Sequence, residues 1–111
     1  MRRGDLVTVA LLGEDGKPHG KPRPALVIQS DLFAEHPSVT ILPVTGELRA
    51  TPLFRIQIEP TPENGLRVVS QVMVDKAQSV PRDKIGTAFG RLDAEAMVAV
   101  NRALAVFLGF A

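Results

Sequence analysis

The sequence predicts an α+β fold, in which a small and strongly bent antiparallel β-sheet or barrel is closed by one C-terminal α-helix. Three observations predict this class: short apolar or alternating segments of strand length, clusters of turn-forming residues between them, and one amphipathic run near the end of the chain. A length of 111 residues fits one domain of ordinary size. We therefore expect a single domain that spans residues 1–111.

Several segments have the length and composition of β-strands. The first is rich in β-branched and aliphatic residues, and the second and third are apolar runs typical of buried strands. The fourth alternates apolar and polar positions, as a half-exposed strand does, and the last two are short extended segments whose pairing the pattern does not reveal. In chain order they are Asp5–Leu11, Pro24–Gln29, Val39–Val44, Leu53–Glu59, Leu66–Val69 and Val72–Asp75.

Turn-forming residues separate these segments. Gly13–Pro22 combines glycines, prolines and charged side chains, so we expect an exposed loop there. Pro60–Gly65 is a second turn cluster, in which Asn64 and Gly65 adopt positive φ easily.

An amphipathic helix is predicted at the C-terminus. Asp93 is suited to accept hydrogen bonds from the free amides at its start, and Gly109 is suited to end it in a left-handed conformation. Between them, apolar residues recur at spacings of three and four, which is the helical period. These residues are Met97, Val100, Leu104, Phe107 and Leu108.

The composition excludes several classes of protein. The chain has no cysteine, which rules out disulfides, a thiolate metal site and a cysteine nucleophile. No apolar signal segment precedes the first strand, and no uncharged apolar stretch approaches the ~18 residues that span a bilayer. We therefore expect a cytoplasmic protein with no membrane role. The net charge is only +1, so any nucleic-acid site has to come from a local cluster of residues.

The usual catalytic motifs of hydrolases and nucleotide-binding enzymes do not occur in the sequence. The only histidines are His19 and His36, and no acidic cluster has the spacing of metal ligands. We therefore expect chemistry that needs no metal and no cofactor. His36 stands beside a proline in a polar connection, which is typical of a surface residue.

The most informative polar residues stand at the ends of two predicted strands. Arg23 lies where the glycine- and proline-rich loop leads into a buried strand, and Thr45 ends the strand Val39–Val44. A guanidinium offers several fixed donors to a phosphate and stays charged at any working pH, so it suits stabilisation of a pentacoordinate phosphorus. A threonine hydroxyl adds one more donor. Each residue alone is more often an ordinary surface side chain.

The order of three motifs resembles that of the MazF/PemK/Kid toxin family. Arg3-Gly4-Asp5-Leu6-Val7 is similar to the family's opening segment, Arg23-Pro24-Ala25-Leu26-Val27 to its Arg-Pro-Ala strand, and Pro43-Val44-Thr45 to its Pro-[Ile/Val]-Thr strand end. Later, Asp75 stands where the family has an aspartate, and Lys84-Ile85-Gly86 leads toward the terminal helix. The resemblance covers most of the chain.

The resemblance implies the SH3-like barrel that MazF and CcdB toxins share and a metal-independent endoribonuclease of a type II toxin–antitoxin system. In such enzymes the 2′-hydroxyl of single-stranded RNA attacks the adjacent phosphorus and leaves a 2′,3′-cyclic phosphate. By this resemblance Arg23 acts at the scissile phosphate and Thr45 holds a nonbridging oxygen. The proton acceptor stays open, with Asp75 and His19 as candidates.

The sequence departs from the family around Asp75. The family's glutamine after the aspartate is Lys76 here, its Arg-Thr pair is Gln78-Ser79, and Met73 stands where Kid-like members have an arginine. Lys76 and Gln78 are candidate RNA-binding residues, as is Lys21 in the loop before Arg23. The absence of tyrosine and tryptophan favours base recognition by hydrogen bonds and loop shape over aromatic stacking.

The resemblance also implies a homodimer with RNA at or near the subunit interface. Its partner is a small MazE- or PemI-like antitoxin with an acidic, partly disordered tail. Two alternatives stay open from the sequence: a noncatalytic CcdB-like toxin that traps DNA gyrase, and a degenerate member that binds an antitoxin without cutting RNA. The altered segment Asp75–Ser79 motivates the second alternative.

Overall fold

A computed structural model describes residues 1–10 and 20–111 of the chain. In these ranges the chain forms seven β-strands followed by one α-helix. The strands are β1 (Asp5–Val9), β2 (Arg23–Val27), β3 (Ser38–Thr45), β4 (Arg55–Ile58), β5 (Ser70–Met73), β6 (Gln78–Pro81) and β7 (Ile85–Arg91), and the helix is α1 (Ala94–Leu108).

All the strand pairs are antiparallel, and the strand order is β4-β5-β3-β2-β1-β7. The eight-residue strand β3 is the centre of the sheet, because β2 pairs along one of its edges while two strands share the other edge. On that shared edge β6 pairs with Ser38–Ile41 and β5 pairs with Val44 and Thr45. The sheet therefore divides beside β3 and bends strongly, as the sequence predicts.

Strands β1, β2 and β3 are buried on both faces, which explains why their sequences are almost continuously apolar. Alternate residues contribute to two separate hydrophobic clusters. Cluster A lies under the helix and consists of Leu6, Leu26, Leu42, Val44, Ile58, Val72, Val74, Leu92, Val100 and Ala103. Cluster B lies on the other face and consists of Val7, Val9, Ala25, Val27, Val39, Ile41 and Val80.

Helix α1 begins and ends as the sequence predicts. The Asp93 carboxylate accepts a hydrogen bond from the Ala96 amide at 2.7 Å, and Gly109 ends the helix with φ of 82°. Of the predicted apolar stripe, Val100 is fully buried and Met97 and Leu104 pack against cluster A. Phe107 and Leu108 belong to the same predicted stripe but are exposed. No helix in the described ranges is both long and apolar enough to cross a membrane.

The Arg3-Gly4-Asp5 motif ties the N-terminus to β2, β7 and α1. The Arg3 guanidinium donates to the Ile28 carbonyl at 2.8 Å and to the Asn101 side-chain oxygen at 2.7 Å. The Asp5 carboxylate forms an ion pair with Arg91 at 2.6 Å. These contacts fasten β1 between its neighbours, so this motif is part of the framework of the fold.

Some predicted boundaries differ from the structure. Leu66–Val69 is not a strand, and the predicted extended segment Val72–Asp75 is divided between the end of β5 and the 3₁₀ turn Val74–Lys76. Strands β6 and β7 were not predicted, because their sequences lack a regular apolar pattern. The turn at Pro60–Gly65 is confirmed, with φ of 68° at Gly65, and His36 is exposed as expected.

Candidate active site

The start of β2 and the end of β3 meet at one end of the sheet. Ala25 pairs with Pro43, so the same antiparallel register continued by two residues brings Arg23 opposite Thr45. Opposite residues on neighbouring strands point to the same face, with Cβ atoms about 4.5–5.5 Å apart. The two strand-end residues singled out in the sequence therefore lie side by side, on the face of the sheet that carries cluster B.

Arg23 occupies the rim of cluster B. It is exposed, and its neighbour on the other side is Val9, the last residue of β1. Among residues 1–10 and 20–111, no side-chain hydrogen bond or ion pair of Arg23 is present. The guanidinium donors that are not used within these ranges are the kind of group that binds a phosphate.

Thr45 is half-exposed and holds a defined hydroxyl orientation. Its Oγ1 accepts a hydrogen bond from the Glu47 amide at 3.1 Å, in a turn that directly follows β3. Because a hydroxyl has one proton and two lone pairs, this bond leaves the proton available for donation to a ligand oxygen. Arg23 and Thr45 together thus offer hydrogen-bond donors on the same patch of surface.

Gln71 continues this polar row on the next strand, and no motif in the sequence marks it as a site residue. It pairs with Thr45 across the β3–β5 ladder and is only 5% exposed. Gln57 pairs with Gln71 in turn, on the edge strand β4. The face of the sheet opposite α1 therefore carries a continuous row of polar side chains from β2 to β4.

Asp75 lies on the other side of β3 from Arg23. It belongs to the 3₁₀ turn Val74–Lys76, which links β5 to β6, so two strand spacings of about 4.8 Å each separate it laterally from β2. Its Oδ1 is buried and has no hydrogen-bond partner among the described residues. Among the described residues, Asp75 makes no hydrogen bond or ion pair with Arg23 or Thr45.

The remaining predicted residues flank the polar row. Lys76 and Gln78 are exposed on the same side of β3 as Asp75, and Gln78 pairs with Ile41, four residues before Thr45. Lys21 is exposed two residues before Arg23. His19 lies outside the described residues.

Met73 lies opposite Arg55 in the β4–β5 ladder. Kid-like members resemble this chain but have an arginine at the position of Met73. In this chain an arginine stands instead on the neighbouring strand, directly opposite Met73. The Arg55 guanidinium is half-buried and donates to the Glu47 carbonyl at 3.1 Å. The cation therefore lies near the turn that orients Thr45.

Within residues 1–10 and 20–111, the Arg23 and Thr45 side chains lie on a face of the sheet and outside the largest described groove. A groove of about 1050 Å³ lies between α1 and β4, and none of the predicted site residues lines it. Within the described ranges, no group of three or more histidine, aspartate or glutamate side chains is arranged to hold a metal ion. An open face lined with hydrogen-bond donors suits an extended polymer better than a small molecule.

Comparison with known proteins assigns the chain to a family. Residues 2–108 match the family described as PemK-like, MazF-like toxins of type II toxin–antitoxin systems. A protein of Mycolicibacterium smegmatis named probable endoribonuclease MazF is 50% identical over 111 residues, which cover all of this chain and 99% of that protein.

Solved structures share the fold. A crystal structure of MazE-MazF from Deinococcus radiodurans superposes with a TM-score of 0.81 at 24% identity, covering 100% of this chain and 97% of that chain. An endoribonuclease in complex with its cognate antitoxin, from a mycobacterial species, superposes with a TM-score of 0.78 at 22% identity, with the same coverage. The predicted fold, a bent antiparallel sheet with a C-terminal helix, is therefore confirmed, and the chain belongs to the PemK-like, MazF-like toxin family of type II toxin–antitoxin systems.

Proposed function

We propose that this chain is a metal-independent endoribonuclease that cleaves single-stranded RNA at selected sequences and acts as the toxin of its system. One observation supports the proposal: the β2–β3 register, continued two residues beyond the Ala25–Pro43 pair, sets Arg23 opposite Thr45 at one end of the sheet. Two fixed donors on one surface patch match the charge that develops on a phosphate during RNA cleavage.

The reaction needs only proton transfer and stabilisation of negative charge. The 2′-hydroxyl of the substrate forms a bond to the adjacent phosphorus while a base accepts its proton. The bond to the leaving 5′-oxygen then breaks as that oxygen receives a proton, either from the Arg23 guanidinium or from a water molecule, and the base returns its proton to solvent. The products are a 2′,3′-cyclic phosphate and a 5′-hydroxyl end.

Arg23 and Thr45 have distinct roles in this reaction. The Arg23 guanidinium stabilises the nonbridging oxygens of the pentacoordinate phosphorus and stands near the leaving oxygen, where it assists protonation. Thr45 donates its remaining hydroxyl proton to one nonbridging oxygen, an orientation supported by the bond from the Glu47 amide to Oγ1. The catalytic power of both residues comes from donors that are held in place before the substrate arrives.

The general base is either Asp75 or His19. Asp75 has one buried carboxylate oxygen without a partner among the described residues, and such a group is stabilised when a ligand or a second subunit supplies a hydrogen bond. Asp75 and Arg23 lie on opposite sides of β3. For Asp75 to accept the proton of the 2′-hydroxyl while Arg23 contacts the phosphate, the RNA has to cross that strand. His19 lies outside the described residues and is a candidate by its residue type, because an imidazole can both accept and donate a proton.

RNA binding extends beyond the reacting phosphate. Lys21 precedes Arg23 by two residues in the chain, and Gln78 pairs with β3 on the edge opposite to β2, two residues after Lys76. Lysines contact phosphates and the Gln78 amide contacts base edges or sugars. Specificity then depends on a few such contacts and on loop shape.

The assembly is proposed to be a homodimer that a small MazE- or PemI-like antitoxin inhibits by occupying the RNA path. The support is the family and the solved complexes of relatives with their antitoxins. Because its proposed substrate is cellular RNA, we propose that the enzyme acts in the cytoplasm. Light scattering at micromolar concentration tests the dimer, and a monomeric mass would contradict it.

Cleavage of mixed-sequence RNA in EDTA tests the proposed activity. The wild-type protein is expected to cut at recurrent sequences, and the new 5′ ends should be accepted by polynucleotide kinase without prior phosphatase treatment, because they carry hydroxyl groups. Arg23→Ala is the matched control for a contaminating nuclease. Cleavage that persists unchanged in Arg23→Ala would refute the assignment of this site.

The departures in the segment Asp75–Ser79 favour one alternative, a family member that binds an antitoxin without cutting RNA. Absence of cleavage by the wild-type protein, together with retained antitoxin binding, would support that alternative. Growth arrest that persists in both Arg23→Ala and Thr45→Ala would instead support a CcdB-like toxin that traps gyrase.

A further inference from the structure

Gln71 forms an unusual clamp on the loop that follows Thr45. Its side-chain Oε1 accepts a hydrogen bond from the Arg49 amide at 3.0 Å, and its Nε2 donates to the Arg49 carbonyl at 3.0 Å. The side-chain amide thus pairs with both polar groups of one peptide residue, as a neighbouring strand would. Arg49 and Gln71 are 22 residues apart in the sequence, so this contact depends on the tertiary structure.

The remaining hydrogen-bonding capacity of Gln71 is also occupied. Its Oε1 accepts a second, longer bond from the Arg55 guanidinium at 3.4 Å, and its Nε2 approaches the Gln57 Oε1 at 3.5 Å. A glutamine amide has two lone pairs and two protons to satisfy, and here all four have partners. Since Gln71 is only 5% exposed, the network is held in one arrangement and water does not compete with it.

The network leads back to the Thr45 hydroxyl. Arg55, held by Gln71, donates to the Glu47 carbonyl at 3.1 Å, and the Glu47 amide donates to Thr45 Oγ1 at 3.1 Å. Arg49, held by Gln71, also forms an exposed ion pair with Glu47 at 3.1 Å. Both arms of the clamp therefore converge on Glu47, the residue that sets the direction of the Thr45 hydroxyl.

We propose that Gln71 is a positioning residue for RNA cleavage, which acts through the Gly46–Arg49 loop to hold the Thr45 hydroxyl toward the scissile phosphate. The inference rests on the proposed ribonuclease function and deepens it. Gln71 itself is buried and does not touch the RNA. Its effect is expected on the chemical step rather than on binding, because a misdirected hydroxyl weakens transition-state stabilisation more than ground-state affinity.

A second glutamine supplies a matched control. Gln29 makes the same kind of side-chain contacts, since it donates to the Phe33 and Ser38 carbonyls at 3.1 and 3.0 Å and accepts from the Thr40 amide at 2.9 Å. These bonds stabilise the connection before β3, at the end of that strand opposite to Thr45. Gln29→Met and Gln71→Met therefore remove the same kind of hydrogen bonds between a glutamine side chain and the backbone. Only Gln71 lies next to Thr45.

The test measures single-turnover cleavage at saturating and limiting RNA for both variants. Gln71→Met is expected to lower the saturated cleavage rate by up to about tenfold with little change in RNA affinity, because a misplaced Thr45 hydroxyl can cost no more than removal of that hydroxyl. Gln29→Met is expected to keep the wild-type rate within about twofold, although both variants lose thermal stability, because each loses hydrogen bonds of the same kind.

A double variant shows whether Gln71 acts through Thr45. Gln71→Met combined with Thr45→Ala is expected to cleave no more slowly than Thr45→Ala alone, since the hydroxyl to be positioned is gone. Multiplicative loss in the double variant would overturn the proposal. If Gln71→Met does not fold, Arg55→Met is the alternative, because it removes the hydrogen bond to the Glu47 carbonyl from a half-buried position. The decrease in cleavage rate that Arg55→Met causes should likewise be absent when Thr45 is already alanine.

The outcomes separate this inference from the proposed function. Equal cleavage by Gln71→Met, Gln29→Met and wild type, with Arg23→Ala inactive, would overturn the positioning role and leave the ribonuclease intact. An inactive wild-type protein would contradict the ribonuclease function itself, before any variant is compared.

Discussion

Two arginines lie at opposite ends of strand β2 and differ in what their guanidinium groups contact. Arg3 lies beside the exit of β2, is half-buried, and donates to the Ile28 carbonyl and to Asn101 of α1. Arg23 opens the strand at its other end, is exposed, and has no side-chain partner among residues 1–10 and 20–111. Both belong to motifs that resemble the same toxin family.

One family motif thus makes a framework contact, whereas the other supplies the arginine that we propose acts in catalysis. An arginine whose donors are used inside the chain stabilises the fold, whereas an arginine with donors directed to solvent at a strand end is available to a phosphate. The two arginines should therefore fail in different assays: removal of Arg3 should cost stability, and removal of Arg23 should cost activity.

The largest expected effect is the loss of cleavage in Arg23→Ala. We expect the rate to fall about 10²- to 10³-fold, equivalent to about 2.7–4 kcal/mol, as for removal of one preorganised donor. Stability should change by less than about 0.5 kcal/mol, because an exposed side chain is removed. Single-turnover RNA cleavage and urea unfolding measure the two quantities. Arg23→Lys keeps the charge without the planar fork, so full activity in that variant would show that shape is unimportant.

Arg3→Ala is expected to have the opposite profile. Loss of two charge-assisted hydrogen bonds, which leaves the Ile28 carbonyl without this donor, should lower the free energy of unfolding by about 2 kcal/mol. Cleavage per folded molecule should stay within about twofold of wild type. Asn101→Ala removes one of the same contacts from α1 and should give a smaller loss in urea unfolding. Lost cleavage with unchanged stability in Arg3→Ala would contradict the division between the two arginines.

Thr45→Ala is expected to reduce cleavage about tenfold, equivalent to about 1.4 kcal/mol, which is less than the effect of Arg23 because a neutral donor is lost. Thr45→Ser retains the hydroxyl that accepts from the Glu47 amide and should recover most of the rate. The comparison of alanine and serine variants in single-turnover assays separates the hydroxyl from the methyl group. Equal rates in the two variants would exclude a catalytic hydroxyl.

Much of the fold follows from local sequence patterns. Strands β1, β2 and β3 are apolar on both faces, and helix α1 has a capping aspartate and a terminal glycine, so their positions are predictable. Strand β7 is not, because it contains two glycines and is largely exposed. A Cβ atom at Gly90 would lie 2.0 Å from the Asn64 carbonyl oxygen, so a close tertiary contact determines that residue.

The candidate site was predictable only in part. Arg23 and Thr45 stand at strand ends, where composition and the family resemblance both direct attention. The sequence does not single out Gln71, because its hydrogen bonds are made to Arg49, which is 22 residues away in the chain. Asp75 was a reasonable candidate from its sequence position, but its distance from Arg23 depends on how β5 and β6 divide the edge of β3.

The smallest expected effect concerns Lys21, which shares the exposed end of β2 with Arg23. Lys21→Ala should weaken RNA binding a few-fold at moderate salt and reduce the slope of log affinity against log salt by about 0.7, the value for one phosphate contact on a single strand. Arg102→Ala removes an exposed cation from α1, on the opposite side of the sheet, and should leave the slope unchanged. Because both variants change the net charge by one, equal slopes would mean that overall charge, and not the β2 end, attracts RNA. A reduced slope in Lys21→Ala alone would place the phosphate path at the Arg23 end of β2.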